Sequence, residues 1–163
     1  MSTEKRTEFF WPVRVYYEDT DVGGVVYYAN YLKFMERART ECLRSLGFEL
    51  DQLQQQYGII FAVHKVTIQY KKPARFNDSL NVVTSIISLG RASIVFCQKI
   101  FPEKVSVNTL PLCVAEVKIA CLNAEQFSSQ KIPAPVLQKI SMNTVLSTAI
   151  KKNQDFPEVC SGS

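Results

Sequence analysis

Two carboxylates, Asp19 and Asp21, bracket a threonine just ahead of the glycine pair Gly23 and Gly24, and the chain then enters an amphipathic stretch from about Tyr28 to Leu46. Glycines in such a turn let the backbone approach a ligand closely, and a helix that follows points its unpaired amide groups back toward the turn. Aspartates ionise with an ordinary pKa of about 3.9, so a carboxylate there is charged at neutral pH and can attack a carbonyl or act as a base on water. A carboxylate that faces backbone amides where negative charge develops points to acyl transfer. The same residue types also suit plain turn-making. Asp19 fits a side-chain brace for the turn, and Asp21 fits a turn or N-cap residue.

The elements that must hold this junction are readable from periodicity. A strand is expected near Trp11–Tyr17, then the glycine turn, then a helix over about Tyr28–Leu46 that stops at Gly47. Tyr28, Tyr31, Leu32, Met35, Ala38, Cys42, Leu43 and Leu46 recur at helical spacing and predict a face buried against a sheet. A short helix over Leu50–Gln56 precedes four strands, Ala62–Lys71, Ser79–Leu89, Ala92–Phe101 and Leu112–Leu122, rich in β-branched and aromatic residues. Gly90 and Arg91 mark a tight hairpin. Strand, long helix and then consecutive strands argue for an α+β arrangement with an antiparallel sheet. The tail from Pro133 to about Ile150 suggests a further helix, with Val136, Leu137, Ile140, Val145 and Leu146 in a partial stripe.

The run Asp-Thr-Asp-x-x-Gly-x-Val, followed by Tyr-Ala-Asn-Tyr and Glu-Arg-Ala-Arg, resembles the hotdog-fold acyl-CoA thioesterases. Within them it is most similar to the 4-hydroxybenzoyl-CoA thioesterase-like branch, which includes the bacterial Tol-Pal-associated thioesterases. The resemblance rests on Tyr17, Asp19, Asp21, Gly24, Val25, Val26, Tyr28, Asn30, Tyr31, Phe34 and Glu36 to Arg39, and continues more weakly through Thr67–Phe76 and Gly90–Ser93. It implies a hotdog fold, an antiparallel sheet wrapped around a long central helix, as a single domain over 1–163 with its core over about 11–125. It further implies Asp21 as the catalytic carboxylate and the backbone amide of Tyr28 as the oxyanion donor. Many relatives carry histidine where this chain has Tyr28, whereas the hydroxybenzoyl-CoA enzymes carry tyrosine.

For substrate binding, Gly24 and Val25 would lie beside the reacting group, and Tyr31 would line an acyl pocket unless its ring is simply core. Lys71, Lys72, Arg75 and Arg91 are candidates for coenzyme A phosphates, with Lys72 and Arg91 preferred and a solvated strand edge as the plain alternative. Arg91 stands in the hairpin that the resemblance places near the nucleotide. The resemblance also implies a homodimer or homotetramer in which a partner supplies residues around Phe61, Val63 and His64. Phe61, Ala62 and Val63 equally suit strand core. His64 is the only histidine and hence the only imidazole available for catalysis, or else a rim residue.

Composition narrows the alternatives. At 163 residues, 47% hydrophobic and without repeats, the chain is long enough to bury one core. The net charge of +4 comes from scattered basic residues without aromatic interleaving, which argues against a nucleic-acid partner. The apolar runs are too short for a transmembrane segment, and the amino terminus lacks a signal-peptide pattern. Five cysteines without Cys-x-x-Cys spacing fit a reduced core and a cytoplasmic location, with no metal. No cofactor is expected beyond the coenzyme A that is part of an acyl-CoA substrate, and acyl carrier protein is the other carrier to consider. The opposing functional reading is a non-catalytic acyl-CoA or acyl-carrier-protein binding protein, which would keep the pocket but not depend on Asp21. A dehydratase would need a histidine paired with an acid in a motif that His64 does not provide.

Overall fold

The computed structural model describes residues 7–143. A strand β1 (Phe9–Arg14) leads through a single 3-10 turn (Tyr17–Asp19) and the glycine turn to helix α1 (Asn30–Ser45). Then follow helix α2 (Leu50–Tyr57), strands β2 (Ile59–Tyr70), β3 (Ser79–Leu89), β4 (Ser93–Pro102) and β5 (Cys113–Asn123), and helix α3 (Ala134–Asn143). All strands form one antiparallel sheet in the order β1-β3-β4-β5-β2. This is the α+β hotdog arrangement. The last part of the expected tail helix, with Val145 and Leu146, lies outside the described residues.

Helix α1 forms because apolar side chains recur at three- and four-residue intervals, and it buries Tyr31, Phe34, Met35, Ala38, Cys42 and Leu43. Of these, Tyr31, Phe34, Met35, Ala38 and Leu43 share one continuous core with Val82, Ile94, Phe96, Ile100 and Val117 of the sheet. Burying a side chain such as Phe34 contributes about 2–3 kcal/mol relative to leaving it in water. The buried face differs from the expected one at its start. Tyr28 and Leu32 are exposed, and Arg39 is buried, because the stripe set by Tyr31, Phe34 and Ala38 turns those two outward.

Arg39 is accommodated by hydrogen bonds rather than by an acidic partner. Its Nη1 donates to Oε1 of Gln98 at 2.9 Å, and Nε2 of Gln98 donates to the Met35 carbonyl and to Oγ1 of Thr84. Gln98 and Thr84 are fully buried. Burial pulls the Arg39 guanidinium below its ordinary value, and Glu36 opposes that shift. Cys42, Cys113 and Cys121 are buried free thiols, pushed upward by burial, to about 11 for Cys42 and about 12 for Cys113. Cys97 departs from the expected reduced set in being disulfide-bonded.

The sheet edges differ. β1 carries Pro12, which supplies no backbone N–H, whereas β2 runs for 12 residues and, among the described residues, has β5 as its only strand neighbour.

Candidate active site

The Asp21 turn is a small closed loop. Thr20 bridges Val26, the Asp21 amide donates to the Val25 carbonyl at 2.9 Å, and the Gly24 amide donates to the Asp21 carbonyl at 3.0 Å. Gly24 has φ +75°, a left-handed conformation that a side chain would strain. The loop is fastened to the segment after β2. Val26 donates to the Ala74 carbonyl, Phe76 donates to the Gly24 carbonyl, and Val25 bridges Arg75.

Asp19 and Asp21 divide the work. Asp19 is buried, its Oδ2 accepts the Tyr16 amide at 2.8 Å, and its carbonyl accepts both the Tyr27 amide and Nδ2 of Asn30. It braces the turn. Asp21 is exposed, and its Oδ1 accepts the Gly23 amide at 2.8 Å. That bond holds one carboxylate oxygen, and among the described residues Oδ2 accepts no hydrogen bond.

Helix α1 begins at Asn30, two residues later than expected, so Tyr28 lies in the turn before it. Ala29 at the helix entry offers no side-chain cap. Among the described residues, neither the Tyr28 nor the Ala29 amide donates a hydrogen bond. Unpartnered N–H groups therefore stand at the positive end of a 16-residue helix, beside the turn that carries the Asp21 carboxylate. Such donors suit a developing oxyanion.

Tyr31 is buried, and its hydroxyl accepts the Ala74 amide at 3.0 Å. Burial raises its pKa, so it stays neutral. Lys72 and Arg75 are exposed at this end of the sheet, close in sequence to the loop that holds Gly24. Phe61, Val63 and His64 are not brought to Asp21 within one chain. Tyr70, at the other end of β2, reaches Tyr28, and Phe61 lies roughly 30 Å from it along a strand that rises about 3.3 Å per residue. Arg91 sits in the hairpin between β3 and β4, at the opposite end of β3 from Ser79, and its carbonyl accepts the Ile132 amide. A small pocket of about 80 Å³ by Phe9, Cys42 and Ile86 involves none of these residues, and it is far below the size of a ligand cavity.

Sequence reasoning missed Tyr70. Its hydroxyl donates to the Tyr28 carbonyl at 3.1 Å, and its ring meets those of Tyr28 and Tyr31. It had passed for an ordinary strand residue. The only local signal was a polar-tipped aromatic at a strand end, beside a lysine pair.

Residues 23–108 match the family model described as the thioesterase superfamily. Over 131 residues the chain is 44% identical to the acyl-CoA thioester hydrolase YbgC of Escherichia coli O6:H1, covering 80% of this chain and 94% of that protein. A probable thioesterase from Bartonella henselae superposes with a TM-score of 0.70 at 34% identity, covering 78% of this chain and all of that one. A solved 4-hydroxybenzoyl-CoA thioesterase shares the fold with a TM-score of 0.75 at 18% identity, over 82% of this chain and 99% of its own.

Proposed function

The chain belongs to the thioesterase superfamily, and from that premise we propose that it hydrolyses acyl-CoA thioesters at the junction between the Asp21 turn and α1. The observation that supports this reading most is the pairing of an exposed carboxylate, held at one oxygen, with unpartnered amides at the helix entry. The Asp21 carboxylate attacks the thioester carbonyl, or removes a proton from a water that does so. A C–O bond forms, and charge on the carbonyl oxygen is met by the Tyr28 amide. The C–S bond then breaks and the coenzyme A thiolate leaves to take up a proton; where Asp21 itself attacked, water next cleaves the resulting mixed anhydride, releasing the acid and restoring the carboxylate. Gly24 and Val25 shape the floor beside the carbonyl, and Lys72 offers charge to the phosphates of coenzyme A or of a carrier-bound phosphopantetheine.

The working unit is a homodimer paired through β2. That edge is long and bears exposed Val63 and Val66, whereas the β1 edge is interrupted by Pro12. Antiparallel pairing about the middle of β2 would carry Phe61 of one protomer toward the Tyr70 end of the other and leave Val63 and His64 at the centre of the seam. It would carry Arg91 toward that end as well, and so wall a site that is exposed in a single chain. The cytoplasm is the proposed location, and no helix among the described residues is long and apolar enough to cross a membrane.

The test is release of free thiol from short-chain, long-chain and aromatic acyl-CoA, by the unaltered protein and by Asp21→Asn. Asparagine keeps an oxygen for the Gly23 amide, so the turn persists while the charge is lost. Turnover is expected to fall by at least roughly a hundredfold, as for loss of a central catalytic group. Equal turnover from both proteins would overturn the assignment.

A further inference from the structure

The Tyr28 carbonyl has an unusual partner for a residue at a helix start. In a regular first turn it would accept the amide of Leu32, but that amide goes to the Ala29 carbonyl at 3.2 Å. Among the described residues, its only hydrogen-bond donor is the Tyr70 hydroxyl at 3.1 Å, from a residue 42 positions away. That hydroxyl is a donor here without ambiguity, because a carbonyl cannot donate. Partial desolvation at its inner edge, with Cys113, Tyr28 and Tyr31 nearby, raises the Tyr70 pKa and keeps the proton in place.

Resting on the reading of the Tyr28 amide as oxyanion donor, we propose that Tyr70 is a positioning residue for thioester hydrolysis. Its hydroxyl fixes the peptide that links Tyr28 to Ala29. That peptide's carbonyl is the group Tyr70 grips, and its N–H is the unpartnered Ala29 amide. The Tyr28 amide is the other unpartnered N–H of the pair. The bond therefore sets the orientation of the Ala29 amide and polarises it, since a hydrogen bond to a peptide oxygen strengthens the donor on the same unit. Ala29 thereby joins Tyr28 in the donor set.

The surroundings support a device that aims the segment rather than one that only stabilises it. Both tyrosine rings are substantially exposed, and they meet edge to face at 6.2 Å, so little core depends on the contact. A second tyrosine ties the same junction in the reverse sense. Tyr31, on the helix, accepts from Ala74 on the loop that in turn holds Val26. The Tyr31 and Tyr70 rings lie 5.5 Å apart. The two ties place the carboxylate turn and the donor peptide in one frame anchored to the end of β2.

The test compares Tyr70→Phe and Asp21→Asn in the full chain, by steady-state thiol release and thermal unfolding. Tyr70→Phe keeps the ring and removes only the hydroxyl. It is expected to lower kcat by roughly tenfold, the scale on which lost alignment is felt, with KM within about twofold and the unfolding temperature unchanged. A kcat equal to that of the unaltered protein would overturn the proposal. So would a raised KM with intact kcat, or a loss of activity that tracks a fall in unfolding temperature. Failure of the underlying reading is distinguishable, because it would show as undiminished turnover by Asp21→Asn.

Discussion

The two ends of α1 are finished in opposite ways. At the C-terminal end, the Gly47 amide donates to the Arg44 carbonyl and the Phe48 amide to the Leu43 carbonyl, a Schellman closure with Gly47 at φ +93°. At the N-terminal end, Ala29 offers no capping side chain, and the Tyr28 and Ala29 amides are left without partners. A capping side chain would add about 1 kcal/mol to such a helix. The chain leaves that stabilisation unrealised at the end where Asp21 stands. The difference teaches that this helix closes its backbone at the end remote from Asp21 and leaves it unsatisfied at the end beside that carboxylate.

The strongest way to break this contrast is Asp21→Asn. Activity should drop by a hundredfold or more while the unfolding temperature stays put, since the exposed carboxylate contributes only the Gly23 bond to the fold. A large fall in stability would make Asp21 a structural cap and remove the distinction between the two ends. The reverse result is expected in the middle of the helix. Gln98→Leu strands the buried Arg39 guanidinium and removes the donor to Thr84. A cost on the order of 3 kcal/mol is expected for leaving such groups unpaired. In thermal unfolding this amounts to roughly 10 °C for a domain of this size. Activity per folded molecule should survive, as Gln98 is fully buried and all its side-chain partners are Arg39, Met35 and Thr84.

What could be foreseen from the residues follows the same division. The strands and the C-terminal stop of α1 were legible because local patterns encode them: β-branched runs for β3 to β5, and a glycine at the stop. The start of α1 was placed two residues early, since an end left uncapped gives no signal in the sequence. The burial of Arg39 depends on an acceptor 59 residues away, and the Tyr70 contact spans 42. No window of neighbouring residues contains either. The family resemblance supplied roles for Asp21 and Tyr28 that spacing alone left open between catalysis and turn-making. Phe61, Val63, His64 and Arg91 lie away from the turn within one chain, a separation set by strand length and hairpin position rather than by any local pattern.

The finest test applies one substitution to both ends. Gly24 and Gly47 each hold a positive φ, so alanine at either should cost about 1 kcal/mol in backbone strain. At Gly47 the new methyl would also meet Nζ of Lys139, a flexible side-chain end that can move aside. At Gly24 no atom lies within 4 Å of the methyl position, so strain alone acts there. The two variants should therefore lose similar stability, a few degrees in unfolding temperature. Their activities should diverge. Gly47→Ala relaxes a closure remote from the chemistry and should keep kcat near that of the unaltered protein. Gly24→Ala shifts the backbone that accepts from Phe76 and sets the Asp21 carboxylate, and should lower kcat by roughly tenfold, as small misplacements of a reacting group do. Equal activity in the two variants would mean that the glycine turn only reverses the chain. Unequal activity at equal stability would locate the catalytic demand at the open end of the helix.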